Sequence, residues 1–266
     1  MPLPTRVPTL LYHDVVADER WTGSGFPGGD AAIYKLDSDA FTAHVERLRA
    51  SGLEAPLLTT PVSGGGRRFV ITFDDGGVSA ITTIAPAIER FGWRGYFFMT
   101  TGWLGAAGFL DRTQLRELRA RGHVIGSHSE THPLRMSSCS PRQLLAEWTS
   151  SVERLADVLG ERPATASIPG GAYSYAVAEA AGRAGIKLLF TSEPTARSWD
   201  VGDVTCLGRF TVWRGMTPDR AVALARGHGI ETVRQRLAWD SKKVAKAVLG
   251  PTYQKLREQL LSSRSA

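Results

Sequence analysis

The sequence predicts an α/β fold built on a parallel sheet of about seven strands, open or closed. Three observations predict it. Strand-like and helix-like stretches alternate with short connections, as in a series of βα units. The stretch Arg68 to Phe73 (RFVITF) is almost wholly apolar, as a strand covered on both faces must be. The chain has 266 residues, 42% hydrophobic and 22% charged, enough for one large α/β domain of about 250 residues.

The elements follow in order. Thr9 to Val16 (TLLYHDVV) reads as the first strand, and the Gly-rich run Gly23 to Asp30 as a loop. Asp37-Ser38 caps a helix that runs through Arg49 and stops at Gly52. After the strand at Arg68–Phe73, Ser79 to Phe91 is helical, with Gly92 as its stop. Gly95 to Thr100 is a strand, Asp111 to Ala120 a helix and His123 to Ser127 a short strand. Ser140-Pro141 opens a long helix to Leu159, with proline at the first helical position. Thr165–Ile168, Lys187–Thr191 and Leu207–Val212 are further strands, and Tyr175–Ala184 is a helix between two of them. Beyond Thr217 the pattern is helical, with a break at Gly250-Pro251. No linker, low-complexity tract or clean repeat divides the chain, so it reads as one domain with a helical appendage.

Composition excludes some classes. Two cysteines, Cys139 and Cys206, cannot form a disulfide scaffold in a chain of this size. No run of eighteen apolar residues marks a membrane span. The N-terminus lacks the features of a signal peptide, so the chain as given reads as cytoplasmic. The net charge of +6 is spread over helical stretches without a block of like charge. It fits a solvated surface, or attraction to an anionic partner, and no nucleic acid is expected.

Functional groups in parallel βα folds gather at the carboxyl ends of strands. Asp74-Asp75-Gly76-Gly77 follows RFVITF. Adjacent carboxylates repel unless a cation or hydrogen bonds offset them, although one of them could cap the next helix. His128 and His132, in GSHSETH, follow the strand at His123–Ser127. Their i, i+4 spacing lets both rings face one point, but the glutamate of HExxH is not in place. Two histidines and one carboxylate make a three-ligand set with an open position, which is catalytic rather than structural zinc chemistry. The remaining aspartate can then take a proton from water. The third loop, Pro169-Gly170-Gly171-Ala172-Tyr173, could let backbone approach a ligand or hold an oxyanion, or serve only as a turn. His44 and His123 read as structural; Trp103, Trp199 and Trp213 could stack on a sugar or pack in the core.

These residues together resemble the polysaccharide deacetylase family, carbohydrate esterase family four. The resemblance rests on TFDDG (Thr72–Gly76), on His128-Ser-x-x-His132 and on the Pro169 loop, and extends from about Arg67 to Thr191. LLYHDVV and the GFPGG loop resemble a subgroup that opens with a Tyr-His strand. The resemblance implies a distorted (β/α)7 barrel, here residues 1–216, with a C-terminal helical extension, 217–266. It implies metal-dependent removal of N-acetyl groups from an acetylated amino sugar, whether polysaccharide, oligosaccharide, or lipid- or nucleotide-linked sugar. Asp74 matches the catalytic base. Asp75, His128 and His132 match the ligands of one divalent ion, zinc, with cobalt or nickel as substitutes. Pro169, Gly170, Gly171 and Tyr173 stand where the family contacts substrate. The third motif departs from the pattern: the arginine that pairs with the base is absent before Pro169, and Gly170 replaces a tyrosine. Arg209 is the candidate substitute. The late Leu-x-His has no clean match; His228 lies in Arg-Gly-His-Gly, and His13 is the candidate general acid. Two other readings stay open: hydrolysis of a cyclic amide or another non-peptide C–N bond, or sugar binding without catalysis.

Overall fold

The computed structural model describes residues 6–18, 20–58 and 67–241. The chain opens with β1 (Thr9–Tyr12), β2 (Val15–Val16), the short α1 (Gly29–Ala32), β3 (Leu36–Asp37) and α2 (Ser38–Ala50). Next come β4 (Leu53–Glu54), β5 (Arg67–Arg68), β6 (Val70–Phe73), a π-helical turn at Ala80–Ile84 and α3 (Ala85–Glu89). The middle of the chain is β7 (Tyr96–Met99), α4 (Arg112–Ala120), β8 (Val124–Ser127), α5 (Pro141–Leu159), β9 (Thr165–Ser167) and α6 (Tyr175–Arg183). It finishes with β10 (Leu188–Phe190), β11 (Ser198–Val201), β12 (Val204–Leu207), β13 (Phe210–Thr211) and α7 (Pro218–Ala225). Residues 230–241 are also helical. The break expected at Gly250-Pro251 lies outside the described residues.

One nine-stranded sheet runs β11-β12-β10-β9-β8-β7-β6-β1-β13, parallel throughout except for the edge strand β11. Two observations show that this sheet curls on itself. The Phe190 ring on β10 lies 5.3 Å from Tyr96 and 5.1 Å from Phe98 on β7, which is not its neighbour in the sheet. And β12 and β13, at or near opposite ends of the order, are one run of chain interrupted only by Gly208-Arg209. This run pairs with β10 and then with β1, so a single bent strand bridges the seam. Counting it once gives seven parallel staves, the distorted (β/α)7 barrel.

Alternation along the strands separates two cores, as the period of two requires. Phe97 and Met99 pack with the outer helices, together with Leu10, Ile71 and Phe210. Tyr96 and Phe98 belong to an inner cluster with Val70, Phe190 and Leu207. Helix caps fall where sequence places them. Asp37 and Ser140 cap α2 and α5, and Gln143 completes a capping box with Ser140.

Four local departures from the expected elements occur. The stretch Thr9–Val16 is not one strand: it breaks at His13-Asp14, and Asp14 is drawn into bonds with Ser24 and Ser79. The helix expected from Ser79 begins with a π turn. Leu207–Val212 is divided by Gly208, where a side chain would strike Thr195 and the Glu193 carbonyl. The antiparallel strand β11 has no apolar signature in Ser-Trp-Asp-Val, because it sits at an edge. In the tail, α7 packs on α2 and β1, and Gln235 exchanges two hydrogen bonds with the backbone of Thr211 on β13. No helix among the described residues is long and apolar enough to cross a membrane.

Candidate functional site

The carboxyl ends of β6, β8, β9 and the seam converge on one cluster. Asp74 and Asp75 leave β6, His128 and His132 leave β8, and Ser167 ends β9. Asp75, His128 and His132 each offer one ligand atom, all within 4.8 Å of one another. The Asp75 Oδ1 lies 3.5 Å from His128 Nε2 and 3.6 Å from His132 Nε2. Two imidazoles and a carboxylate form a donor set that fits zinc, and equally cobalt or nickel.

The backbone is bent to make this cluster. Asp75, Ser129 and His132 all have left-handed φ values of 78°, 64° and 60°, each costing about 1 kcal/mol or more in a non-glycine residue. Neighbouring bonds hold these turns. Ser129 N–H donates to Ser127 Oγ, and His132 N–H donates to Ser129 Oγ. From α5, Glu147 accepts the N–H groups of Glu130 and Thr131 at 3.0 and 2.9 Å, and the Thr131 hydroxyl as well. The two glycines of DDGG are required by space. A side chain on Gly76 would meet Met99 Sδ at 2.8 Å, and one on Gly77 would meet the Asp14 carboxylate at 1.9 Å.

Asp74 is held quite differently from Asp75. Arg209, at the bend of the seam and fully buried, grips it with two parallel bonds, Nη1 to Oδ1 at 2.7 Å and Nη2 to Oδ2 at 2.8 Å. The Ser167 hydroxyl donates to Asp74 Oδ1 at 3.0 Å. Burial alone would raise the Asp74 pKa; the guanidinium of Arg209 and the nearby His128 more than reverse this and hold it below the usual range. For Asp75 burial is likewise outweighed, by a hydrogen bond to His128 and by His13 and His132, and its pKa is held well below normal. Burial disfavours charge on His128, yet Asp74 and Asp75 raise its pKa. The pocket therefore favours a positive charge at this point. Burial and the adjacent His128 push His132 down to about 4. The His128 Nδ1 lies 3.0 Å from the Ser167 carbonyl and 2.6 Å from its hydroxyl. Donation from Nδ1 turns Nε2 toward the cluster.

The other sequence-derived candidates fall in distinct places. His13 lies close enough to Asp75, Asp74, Arg209 and His128 for their charges to act on it, and burial lowers its pKa. Its Nδ1 is buried without a hydrogen-bond partner, and its ring packs on Tyr34 at 5.0 Å. Pro169, Gly170 and Gly171 form a 3-10 turn two residues beyond Ser167. Here Gly171 makes room for packing: a side chain would meet Ser192 and Trp239 at 2.7 and 2.8 Å. The Gly171 N–H closes the turn on Ile168. Tyr173 stands further out, its hydroxyl accepting from Trp199. Trp103 joins Phe26 and Phe109 in an aromatic wall whose Phe26 lies 4.8 Å from His132. His44 and His123 are structural: His44 bonds Tyr12 and the Met216 carbonyl, and His123 bonds Glu89 and the Gly95 N–H. His228 is exposed, and both cysteines are free thiols.

Several site residues escape sequence reading. Ser167 lies in an ordinary strand end. Glu147 is one of several acids on a helix. Lys35, 1% exposed, donates to the carbonyls of Trp21, Ser24 and Phe26 and so fixes the loop that carries Phe26. Asp14 ties the same loop to the DDGG turn through Ser24 and Ser79.

The curled α/β sheet thus carries an Asp-His-His cluster and a guanidinium-locked carboxylate together at its strand ends. Residues 62–189, just under half of the chain, match the family model for polysaccharide deacetylase, and over that stretch the chain is similar to that family. YxkH of Bacillus subtilis (strain 168), provisionally named a polysaccharide deacetylase, is 27% identical over 221 residues, 80% of this chain and 74% of that protein. Peptidoglycan-N-acetylglucosamine deacetylase PgdA of Listeria monocytogenes is 27% identical over 138 residues, 52% of this chain and 28% of PgdA. Among solved structures, Streptococcus pyogenes deacetylase PplD in complex with acetate superposes with a TM-score of 0.68 at 19% identity, covering 85% of this chain and 100% of that one. At that identity the likeness is one of fold.

Proposed function

We propose that the protein hydrolyses the N-acetyl group of an acetylated amino sugar, with one divalent ion held by Asp75, His128 and His132. The observation that carries this reading is the division of labour in the Asp pair. One carboxylate lies among imidazoles, and its neighbour is locked by Arg209, away from ligand duty. Such an ion, zinc first, supplies polarisation of a carbonyl and acidification of water. Asp74 accepts the proton of the attacking water, and its low pKa keeps it ionised and ready at neutral pH. Arg209 and Ser167 fix the direction of that carboxylate. His13 gives a proton to the departing amine nitrogen; Asp75 and Asp74 offset part of the burial that disfavours its charged form. Pro169, Gly170 and Gly171 supply the wall beside Asp74, and Tyr173 the outer edge. PgdA is named for N-acetylglucosamine in peptidoglycan, which makes oligomers of N-acetylglucosamine the first substrate to try.

The test joins metal content to acetate release. Protein purified without chelator should carry about one zinc-like ion per chain and release acetate from acetylated chito-oligosaccharides. Chelation should stop release, and added zinc or cobalt should restore it. A His128→Ala/His132→Ala protein that remains folded, metal-loaded and active would sink the assignment.

A milder effect is expected from α5. Glu147→Ala frees the turn that carries His132, so zinc affinity should fall about 10–100-fold, as for other residues that orient ligands. Competition with a chromophoric chelator measures it, and Glu147→Gln should recover part of the loss.

A further inference from the structure

A second recess opens at the same end of the barrel as the Asp75–His128–His132 cluster. Tyr173 comes from the segment after β9, Glu193 and Thr195 from the segment after β10, and Trp199 from β11. Arg236 and Asp240 close it from the helix at 230–241, around about 200 Å3.

The recess is joined to the base through one side chain. The Arg209 N–H donates to the Glu193 carbonyl at 2.9 Å, and its Nε donates to the Thr191 carbonyl at 2.9 Å. The remaining guanidinium nitrogens hold Asp74. One wall of the recess and the locked carboxylate are thus parts of a single bonded unit.

Its chemistry is specific. The Tyr173 and Trp199 rings meet edge to face, 5.6 Å apart at 85°. Trp199 Nε1 donates to the Tyr173 hydroxyl at 3.0 Å, which fixes both rings and leaves the tyrosine proton to be donated elsewhere. Both rings are half-buried, so each keeps part of its surface open to the recess. Charges of both signs, Glu193 and Asp240 against Arg236, form the rest of the rim. Fixed aromatic faces ringed by carboxylates and a guanidinium suit a ring with apolar C–H faces and equatorial hydroxyls. The mixed charge does not suit a phosphate, and the polar rim does not suit a lipid chain. The volume has room for one ring.

We propose that this recess is a subsite for a pyranose ring of the glycan, lying beyond the ring whose acetyl group is removed. The proposal rests on the deacetylase reading and deepens it: the substrate is an oligomer, and its length is sensed by Trp199, Tyr173 and Arg236.

Calorimetric titration with N-acetylglucosamine and its oligomers of two to five rings tests the subsite, using an Asp74→Asn background so that nothing is consumed. Affinity should rise about 10-fold once the oligomer is long enough to reach the recess. Trp199→Ala and Arg236→Ala should each remove that rise and leave single-ring affinity unchanged, whereas Trp199→Phe should keep part of it. Arg236 is exposed, so its variant keeps the fold even where Trp199→Ala does not. Affinity that is independent of length, or a rise that survives both alanine variants, would overturn the subsite. Acetate release by the unaltered protein is scored separately. Release without dependence of KM on Trp199 or Arg236 defeats the subsite and leaves the deacetylase reading intact. Binding that depends on both residues, with no acetate released, defeats the deacetylase reading and leaves the subsite.

Discussion

Arg209→Met is expected to destabilise the protein at neutral pH by about 3–5 kcal/mol, because it leaves the buried Asp74 carboxylate without its cation. At about 2–4 °C per kcal/mol for a domain of this size, the melting temperature should fall by about 10 °C. The sign of the pH dependence follows from the shift. In the unaltered protein Asp74 has a depressed pKa, so its contribution to stability is present above the unfolded value of about 3.9 and is lost as pH falls through the folded value. Without Arg209, burial dominates and the folded pKa rises above the unfolded one. The variant's deficit should then be largest at neutral pH and shrink toward pH 4, as the folded-state carboxyl takes up its proton and the unfolded one begins to. Thermal melts at pH 4, 5.5 and 7 measure this, and an equal loss at all three values would show that Arg209 acts by packing alone. The acid limb of the rate profile should move up in pH for the same reason. An Asp74→Asn/Arg209→Met double variant should regain much of the lost stability, since the two residues share one interaction.

Asp74→Asn is expected to lower kcat by about 10²–10⁴-fold, the usual weight of a general base. Zinc content should stay near that of the unaltered protein, because Asp75, His128 and His132 keep their ligand atoms. Elemental analysis beside acetate release separates the two roles. Loss of both metal and activity would make Asp74 a ligand, and full activity would remove it from the reaction.

The clustering of Asp75, His128 and His132 was legible in the sequence where it is local. DDGG and HSETH each place two side chains of the cluster region within five residues, after strands that their apolar runs announce. The (β/α)7 class was legible for the same reason, since each βα unit carries its own caps and stops. What remained hidden depends on distant meetings. Arg209 reaches Asp74 across 135 positions; only the arginine absent before Pro169 pointed to it as the candidate substitute, since nothing beside Arg209 marks it except a strand pattern. Glu147 and Lys35 look ordinary because they bind backbone groups of other segments, and Ser167 because its partners, Asp74 and His128, lie far off in the chain. The edge strand β11 lacked a signal because it is not covered on both faces. The Pro-Gly-Gly loop was ambiguous for a further reason: glycine permits close approach of either a ligand or the protein itself, and at Gly171 the neighbours are Ser192 and Trp239.

The bent strand at the seam has a bearing on when Asp74 gains its partner. Asp74 is made early in the chain and its guanidinium partner late, on the strand that closes the sheet. Loop closure over such a separation is among the slowest contacts to form. A nascent chain that has completed every residue of the Asp-His-His cluster still lacks the partner that ionises and aims Asp74. The locked Asp74 carboxylate is therefore complete only when the final stave is in place.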